Sequence, residues 1–160
     1  AGPLEVVVID DSRRSSAERV AEFAEAASLS VNYRHLPDKI NVGAKRNLAV
    51  RSATASADLM VTWDDDDIFT VDRISRQVAA LMDRPELNCS IVLQDYFYFA
   101  PRGRLLIGVH QYDFQENVLC FRRSWHEAGA GFEETSLSEG RGLFRGRELG
   151  PGVYSRPEPW

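Results

Sequence analysis

Two stretches of sequence decide the fold: residues 4–12 read LEVVVIDDS, and residues 59–67 read LMVTWDDDD. In each stretch, a run of mainly apolar residues leads into a cluster of aspartates. Unbroken apolar runs with many β-branched residues are typical of strands that are covered on both faces, as in a parallel sheet. We therefore predict two buried strands of one parallel sheet, each carrying carboxylates at its carboxyl end.

The residues around these stretches predict helices that alternate with strands. Ser15 and Glu18 have the spacing of a capping box and predict the start of the first helix. A strand is expected over residues 31–36, and a second helix over residues 43–57. A third helix is expected over residues 71–84, with an apolar side formed by Ile74, Val78, Leu81 and Met82. This alternation is typical of an α/β fold.

The second half of the chain is patterned as short strands. Strands are expected at residues 89–93, 96–100, 105–109 and 117–122, with a short helix over residues 124–128. Hairpins in this half and alternation in the first half favour a mixed, mostly parallel sheet flanked by helices. We interpret residues 1–160 as a single α/β domain.

The composition limits the classes of function. The chain has 160 residues, of which 44% are hydrophobic and 27% charged, which suits one globular core. Its net charge of −5 argues against a nucleic-acid partner. Cys89 and Cys120 lack metal-ligand spacing, so we expect core residues rather than a disulfide framework or a zinc site. Without a long apolar run or a recognisable secretory leader, we expect a soluble cytoplasmic protein with no transmembrane segment.

The aspartate clusters are the strongest candidates for chemistry. They comprise Asp10, Asp11 and residues 64–67, at the carboxyl ends of the two predicted strands. Ligands of open α/β sheets bind beyond such strand ends, and a hard divalent cation such as Mg²⁺ prefers carboxylate oxygens. We interpret the clusters as parts of a cation-dependent site. Helix caps and solvated loop charges are the alternative interpretation.

A basic segment lies between the two clusters in the sequence. Residues 41–47 read NVGAKRN, so that Gly43 opens a predicted helix with Lys45 and Arg46 in its first turn. Backbone N–H groups and basic side chains at a helix start can bind phosphate oxygens. The alternative is an ordinary helix start with basic residues on its surface.

Taken in order, these motifs resemble the family-2 glycosyltransferases of the GT-A fold. The matching residues are Asp10-Asp11-Ser12, the 41–47 segment, Trp63 with the four aspartates, Asp72-Arg73, and residues 117–125 followed by Gly131-Phe132-Glu133. The resemblance implies a Rossmann-like nucleotide-binding half over residues 1–85 and an acceptor-side half over residues 86–160. It also implies metal-dependent, inverting transfer of a sugar from a nucleoside diphosphate sugar, most commonly a UDP-sugar, to an unidentified acceptor.

The resemblance assigns roles to individual residues. Nucleotide contacts are implied for Asp10, Asp11, Arg46, Asp64 and Asp65. Asp11 would bind the base, and Arg46 would lie near the nucleotide. Asp64 and Asp66 would hold Mn²⁺ or Mg²⁺, although spacing leaves open which of the four neighbouring aspartates make these contacts.

Glu139 is the candidate catalytic base. The family often has a Gly-Glu-Asp segment at this point, whereas this chain reads Ser138-Glu139-Gly140, so that glycine replaces one of the two carboxylates. A general base is needed to take the proton of the acceptor hydroxyl. Because one carboxylate is replaced, a non-catalytic nucleotide-sugar-binding module is an alternative.

The family's usual first strand–helix unit is not recognised, so the sequence resembles an N-terminally truncated member. Loss of a central strand would leave an open sheet edge, which would favour self-association. A response-regulator receiver domain is a second alternative, because residues 6–12 and 57–64 resemble its acidic pocket and its phospho-acceptor strand. No lysine follows Lys45 to bind a phosphoryl group, and we therefore prefer the glycosyltransferase.

Overall fold

The computed structural model describes residues 3–92, 96–99, 104–107, 116–129, 131–137, 140–144 and 153–155. Its α/β architecture consists of two compact units. The first unit comprises Ala1–Met60 and Arg123–Arg147, and the second comprises Val61–Arg122 and Glu148–Trp160. Within the described ranges, no helix is long and apolar enough to cross a membrane.

The elements largely follow the sequence patterns. In chain order they are β1 (Glu5–Asp10), α1 (Ala17–Ala27), β2 (Ser30–His35), α2 (Val42–Ser52), β3 (Leu59–Val61), α3 (Arg73–Asp83), β4 (Cys89–Val92), β5 (Tyr96–Phe99), β6 (Arg104–Ile107), β7 (Leu119–Arg122), α4 (Arg123–Glu127), α5 (Arg141–Phe144) and β8 (Val153–Ser155). Helix α2 ends earlier than predicted because Ala53 adopts an extended conformation. The sequence pattern did not predict α5 or β8.

The first unit contains a parallel strand pair. Strands β1 and β2 pair from Glu5 opposite Ser30 to Asp10 opposite His35, and α1 connects them. The predicted burial of β1 on both faces is wrong, since every residue of this strand is partly exposed. Among the described strands, only β2 pairs with β1.

The prediction that β1 and β3 share one sheet is wrong for the described strands. Strand β3 belongs to a four-stranded sheet with the order β3-β7-β4-β8. In that sheet, β4 is antiparallel to β7 and parallel to β8, while β5 and β6 form a separate antiparallel pair. Strand β1 takes the next strand in the sequence through a local βαβ connection, whereas the short β3 pairs with the distant β7.

The first helix is not capped as predicted. Helix α1 begins at Ala17, and Ser16 occupies the N-cap position without a side-chain cap hydrogen bond. The Oγ atom of Ser15 lies 3.1 Å from the Tyr33 hydroxyl, and the Ser16 N–H donates to the same hydroxyl over 2.8 Å. The predicted capping box of Ser15 and Glu18 is therefore wrong, because Tyr33 of β2 takes part in fixing the helix start.

The core of the second unit lies at β7 and α3. Its most deeply buried apolar side chains are Leu81, Val118, Leu119, Cys120 and Phe121, each at most 1% exposed. The predicted apolar side of α3 is wrong at Met82, which is 66% exposed. Arg73 and Gln77 are buried on this helix instead, because both donate hydrogen bonds to backbone carbonyl groups.

Candidate functional site

Asp10 closes the turn that follows β1. Its carboxylate accepts hydrogen bonds from the Ser12 N–H over 2.8 Å, the Tyr33 hydroxyl over 2.5 Å and the Ser16 N–H over 3.3 Å. The hydrogen bonds from Ser12, and after them that from Tyr33, hold the pKa of Asp10 well below its usual range. Both carboxylate oxygens are thus engaged in holding the turn between β1 and α1.

Asp11 forms an ion pair with the basic segment. Its Oδ1 lies 3.2 Å from the Lys45 ammonium, and its Oδ2 accepts from the Ile40 N–H over 3.2 Å. Burial raises the pKa of Asp11, but the hydrogen bonds from Lys45 and Ile40 together hold it below its ordinary value. The first acidic cluster and the basic segment are therefore in contact within the first unit.

The start of α2 is closed by oxygens of the chain itself. The Asn41 side chain accepts from the Ala44 N–H over 2.8 Å, and its carbonyl accepts from the Lys45 N–H over 3.1 Å. The Gly43 N–H donates to the Thr135 carbonyl over 3.0 Å. These three N–H groups are engaged within the chain, as in an ordinary helix start, and a phosphate contact of this segment stays a prediction.

Arg46 and Asn47 of α2 contact the turn that begins at Gly131. The Arg46 guanidinium lies 5.7 Å from the centroid of the Phe132 ring. Asn47, 6% exposed, accepts from the Phe132 N–H over 2.8 Å and donates to the Phe132 carbonyl over 2.9 Å, while His126 Nε2 lies 2.9 Å from the same amide oxygen. The Asn47 amide therefore fixes Phe132.

The predicted base, Glu139, lies outside the described residues.

Three carboxylates meet in the second unit, directly after β3. Oxygens of Asp64, Asp66 and Asp67 all lie within 4.8 Å of one another. The structure thus brings together Asp64 and Asp66, the predicted metal ligands, and adds Asp67; Asp65 is not part of this group. Hard carboxylate oxygens at this spacing fit the ligand preference of Mg²⁺ or Mn²⁺.

Asn117 orients the added carboxylate. Its side-chain N–H₂ group donates to Asp67 Oδ2, and the Asp67 N–H donates to the Asp64 carbonyl over 3.3 Å. The sequence did not indicate this contact, because Asn117 and Asp67 are separated by 50 residues in the chain.

Arg73 is a buried cation beside the carboxylates. It is 2% exposed, and its guanidinium carbon lies 4.0 Å from the centroid of the Phe69 ring and 5.0 Å from that of Trp63. Burial lowers the pKa of Arg73 to about 10, while the negative charges of Asp67 and Asp64 act in the opposite direction. The guanidinium is therefore charged at neutral pH and partly balances the acidic group.

The comparisons with known proteins give one family match. The model of one protein family, Glycosyl transferase family 2, matches residues 1–132, which include both acidic clusters and the basic segment. No curated protein matches the chain.

Proposed function

Since the chain belongs to glycosyl transferase family 2, we propose that it transfers a sugar from a nucleoside diphosphate sugar, with a UDP-sugar as the donor, to an acceptor hydroxyl. Family membership supports a role in glycosyl transfer in general. The observation that carries the finer proposal is the close grouping of Asp64, Asp66 and Asp67 after β3. We also propose the division into a nucleotide-binding half over residues 1–85 and an acceptor-side half over residues 86–160.

The carboxylate group would hold the divalent cation. Departure of a nucleoside diphosphate builds negative charge on the leaving oxygen, and Mn²⁺ or Mg²⁺ would neutralise that charge. Asp64, Asp66 and Asp67 are the proposed ligands, and their hard oxygen atoms support this assignment.

The first acidic cluster would bind the nucleotide. We assign the base contact to Asp11, because Lys45 and Ile40 fix its carboxylate from two sides. Asp10 would support this contact by holding the turn that carries Asp11. Arg46 remains the proposed basic contact near the nucleotide.

Glu139 would be the general base of an inverting, single-step displacement. It would take the proton of the acceptor hydroxyl while the new glycosidic bond forms and the bond to the diphosphate breaks. This assignment rests on the resemblance of residues 138–141 to the family's base-carrying segment. General-base assistance is typically worth about 10²- to 10⁴-fold in rate.

The test of donor binding is a calorimetric titration with UDP, once with Mn²⁺ and once with a chelator. We expect Mn²⁺ to increase the affinity of the wild-type protein. Asp66→Asn should lose that increase, whereas Asp65→Asn, the matched change outside the carboxylate group, should keep it. Asp11→Asn should weaken UDP binding with and without Mn²⁺. Equal affinity for UDP in both titrations would rule out the proposed cation site.

The test of catalysis is hydrolysis of a panel of UDP-sugars in the presence of Mn²⁺. Glu139→Gln should reduce turnover about 10²- to 10⁴-fold while leaving the affinity for UDP unchanged. Unchanged turnover would remove Glu139 from the mechanism. Metal-dependent UDP binding with no turnover of any donor would favour a binding module over an enzyme.

A further inference from the structure

We infer that Arg73 and Asn117 are positioning residues that hold Asp67 beside Asp64 and Asp66, so that the three carboxylates are arranged before a cation binds. The inference rests on the proposed function, because it concerns the same carboxylates. Neither residue is proposed as a ligand of the cation.

Arg73 ties together the two ends of the acidic segment, which we define as residues 62–73. Arg73 is the last residue of this segment, and its Nη2 donates to the carbonyl of Thr62, the first residue, over 2.7 Å. Thr62 is in turn fixed to β7, because its N–H and hydroxyl contact the Leu119 carbonyl at 2.9 and 3.1 Å. The aspartates therefore lie in a loop whose two ends are held at one side chain.

The same guanidinium nitrogen reaches Asp67 through Asn117. Arg73 Nη2 donates to the Asn117 carbonyl over 2.9 Å, and the side chain of Asn117 donates to the carboxylate of Asp67. A shift of Arg73 would consequently move both the loop end at Thr62 and the residue that orients Asp67.

Gln77 fixes the guanidinium through a second nitrogen, Nε. Its Oε1 accepts from Arg73 Nε over 3.0 Å, and its Nε2 donates to the carbonyls of Ser90 and Val118 over 3.0 and 2.8 Å. Gln77 is 1% exposed. The guanidinium is thus held against the sheet of the second unit and cannot follow a displaced loop without breaking these bonds.

The hydrogen bonds and the buried charge at position 73 require an arginine. A buried charge is costly unless it is paired and hydrogen-bonded, and here Asp64 and Asp67 supply the opposite charge. The planar fork lets one nitrogen serve two carbonyls while Nε serves Gln77, which an ammonium group cannot reproduce. An apolar side chain could fill the space but would leave the Thr62 and Asn117 carbonyls without this donor.

A positioning role and a purely electrostatic role of Arg73 predict opposite changes in cation affinity. If Arg73 acted only as a positive charge near the site, its removal would strengthen the binding of a divalent cation. If it acts by positioning, its removal disorders the carboxylates and weakens binding. Loss of a hydrogen-bonding partner behind a metal ligand typically lowers metal affinity about 10- to 100-fold.

The experiment measures Mn²⁺ affinity of the full chain by electron paramagnetic resonance of free Mn²⁺. Arg73→Gln and Asn117→Ala should each weaken binding about 10- to 100-fold. Arg76→Gln is the matched control, because Arg76 lies on the same helix, is exposed and pairs with Asp72 at 2.5 Å. The Mn²⁺ affinity of this variant should equal that of the wild type. Unchanged or stronger binding by a folded Arg73→Gln protein would overturn the role of Arg73.

A second measurement keeps the inference testable in the absence of metal. Hydrogen exchange of the Asp67 amide, which donates to Asp64, should be faster in Asn117→Ala than in the wild type. If Arg73→Gln does not fold by circular dichroism, Asn117→Ala decides the question. Failure of the wild type to bind Mn²⁺ would overturn the proposed cation site, and equal exchange of Asp67 in both proteins would overturn the positioning inference.

Discussion

Gly131→Ala is expected to destabilise the first unit strongly. Gly131 has a φ of +69°, and a Cβ at this position would lie 2.7 Å from Asn47 Oδ1 and 3.0 Å from His126 Nε2. Both of these side chains are buried, so neither can move aside into solvent. The substitution therefore combines an unfavourable backbone conformation with a steric overlap against a hydrogen-bonded amide.

The magnitude follows from these two effects. A left-handed conformation costs a non-glycine residue about 1–2 kcal/mol. Displacing the Asn47 oxygen also removes the acceptor of the buried Phe132 N–H, and a buried polar group without a partner costs about 1–3 kcal/mol. We expect the free energy of unfolding to fall by about 2–5 kcal/mol in total.

The assay is urea-induced unfolding followed by circular dichroism, combined with hydrogen exchange of the Phe132 amide. Gly129→Ala is the matched control, because Gly129 is exposed and does not have a positive φ. Exchange of the Phe132 amide should be faster in Gly131→Ala and unchanged in the control. A loss of less than about 1 kcal/mol for Gly131→Ala, or a loss equal to that of the control, would refute the reasoning.

Three further predictions concern single side chains. Burial lowers the pKa of His126 below 6.5, so the folded state disfavours the proton and stability should fall as the pH drops below about 6.5. His126→Gln should reduce this pH dependence in urea unfolding, and an unchanged slope in the variant would contradict the prediction. Burial raises the pKa of the Cys120 thiol to about 12, so a thiol reagent should label the native protein far more slowly than the urea-unfolded protein, and equal rates would disprove burial. Asn41→Ala should lower the free energy of unfolding by about 1 kcal/mol, since the Asn41 side chain caps α2, whereas Asn41→Ser should retain most of that stability. Equal losses in urea unfolding of the two variants would exclude a capping role.

Local sequence patterns predicted the elements well because each depends on neighbouring residues. The apolar run before Asp10 was sufficient to locate β1, and the alternating pattern of residues 31–36 was sufficient to locate β2. The prediction for α3 was wrong at Met82 and did not include Arg73 and Gln77, which bond the carbonyls of Asn117 and Ser90; no helical periodicity reveals these partners. The placement of β1 and β3 in different sheets was missed for the same reason, since β3 pairs with β7 from the far half of the chain.

In the candidate site, too, only groupings of residues that are neighbours in the sequence were predicted. Asp64 and Asp66 were predicted together because they are neighbours in the sequence, and the metal contact itself stays a prediction. The roles of Asn47 and Asn117 could not be predicted, because their partners lie 85 and 50 residues away. An asparagine that orients a distant group has the same local pattern as one on an exposed helix face.

The discontinuous first unit has a consequence for biosynthesis. Its early segment ends at Met60, and it is completed only by Arg123–Arg147. Asn47 must therefore wait for Phe132, 85 residues later, which at translation rates of about 5–20 residues per second corresponds to about 4–17 s. Throughout that interval the nascent chain carries the amide of Asn47 without the carbonyl and N–H that cover it in the finished protein. The speed at which the ribosome translates residues 48–132 thus sets how long this segment is open to chaperones and proteases.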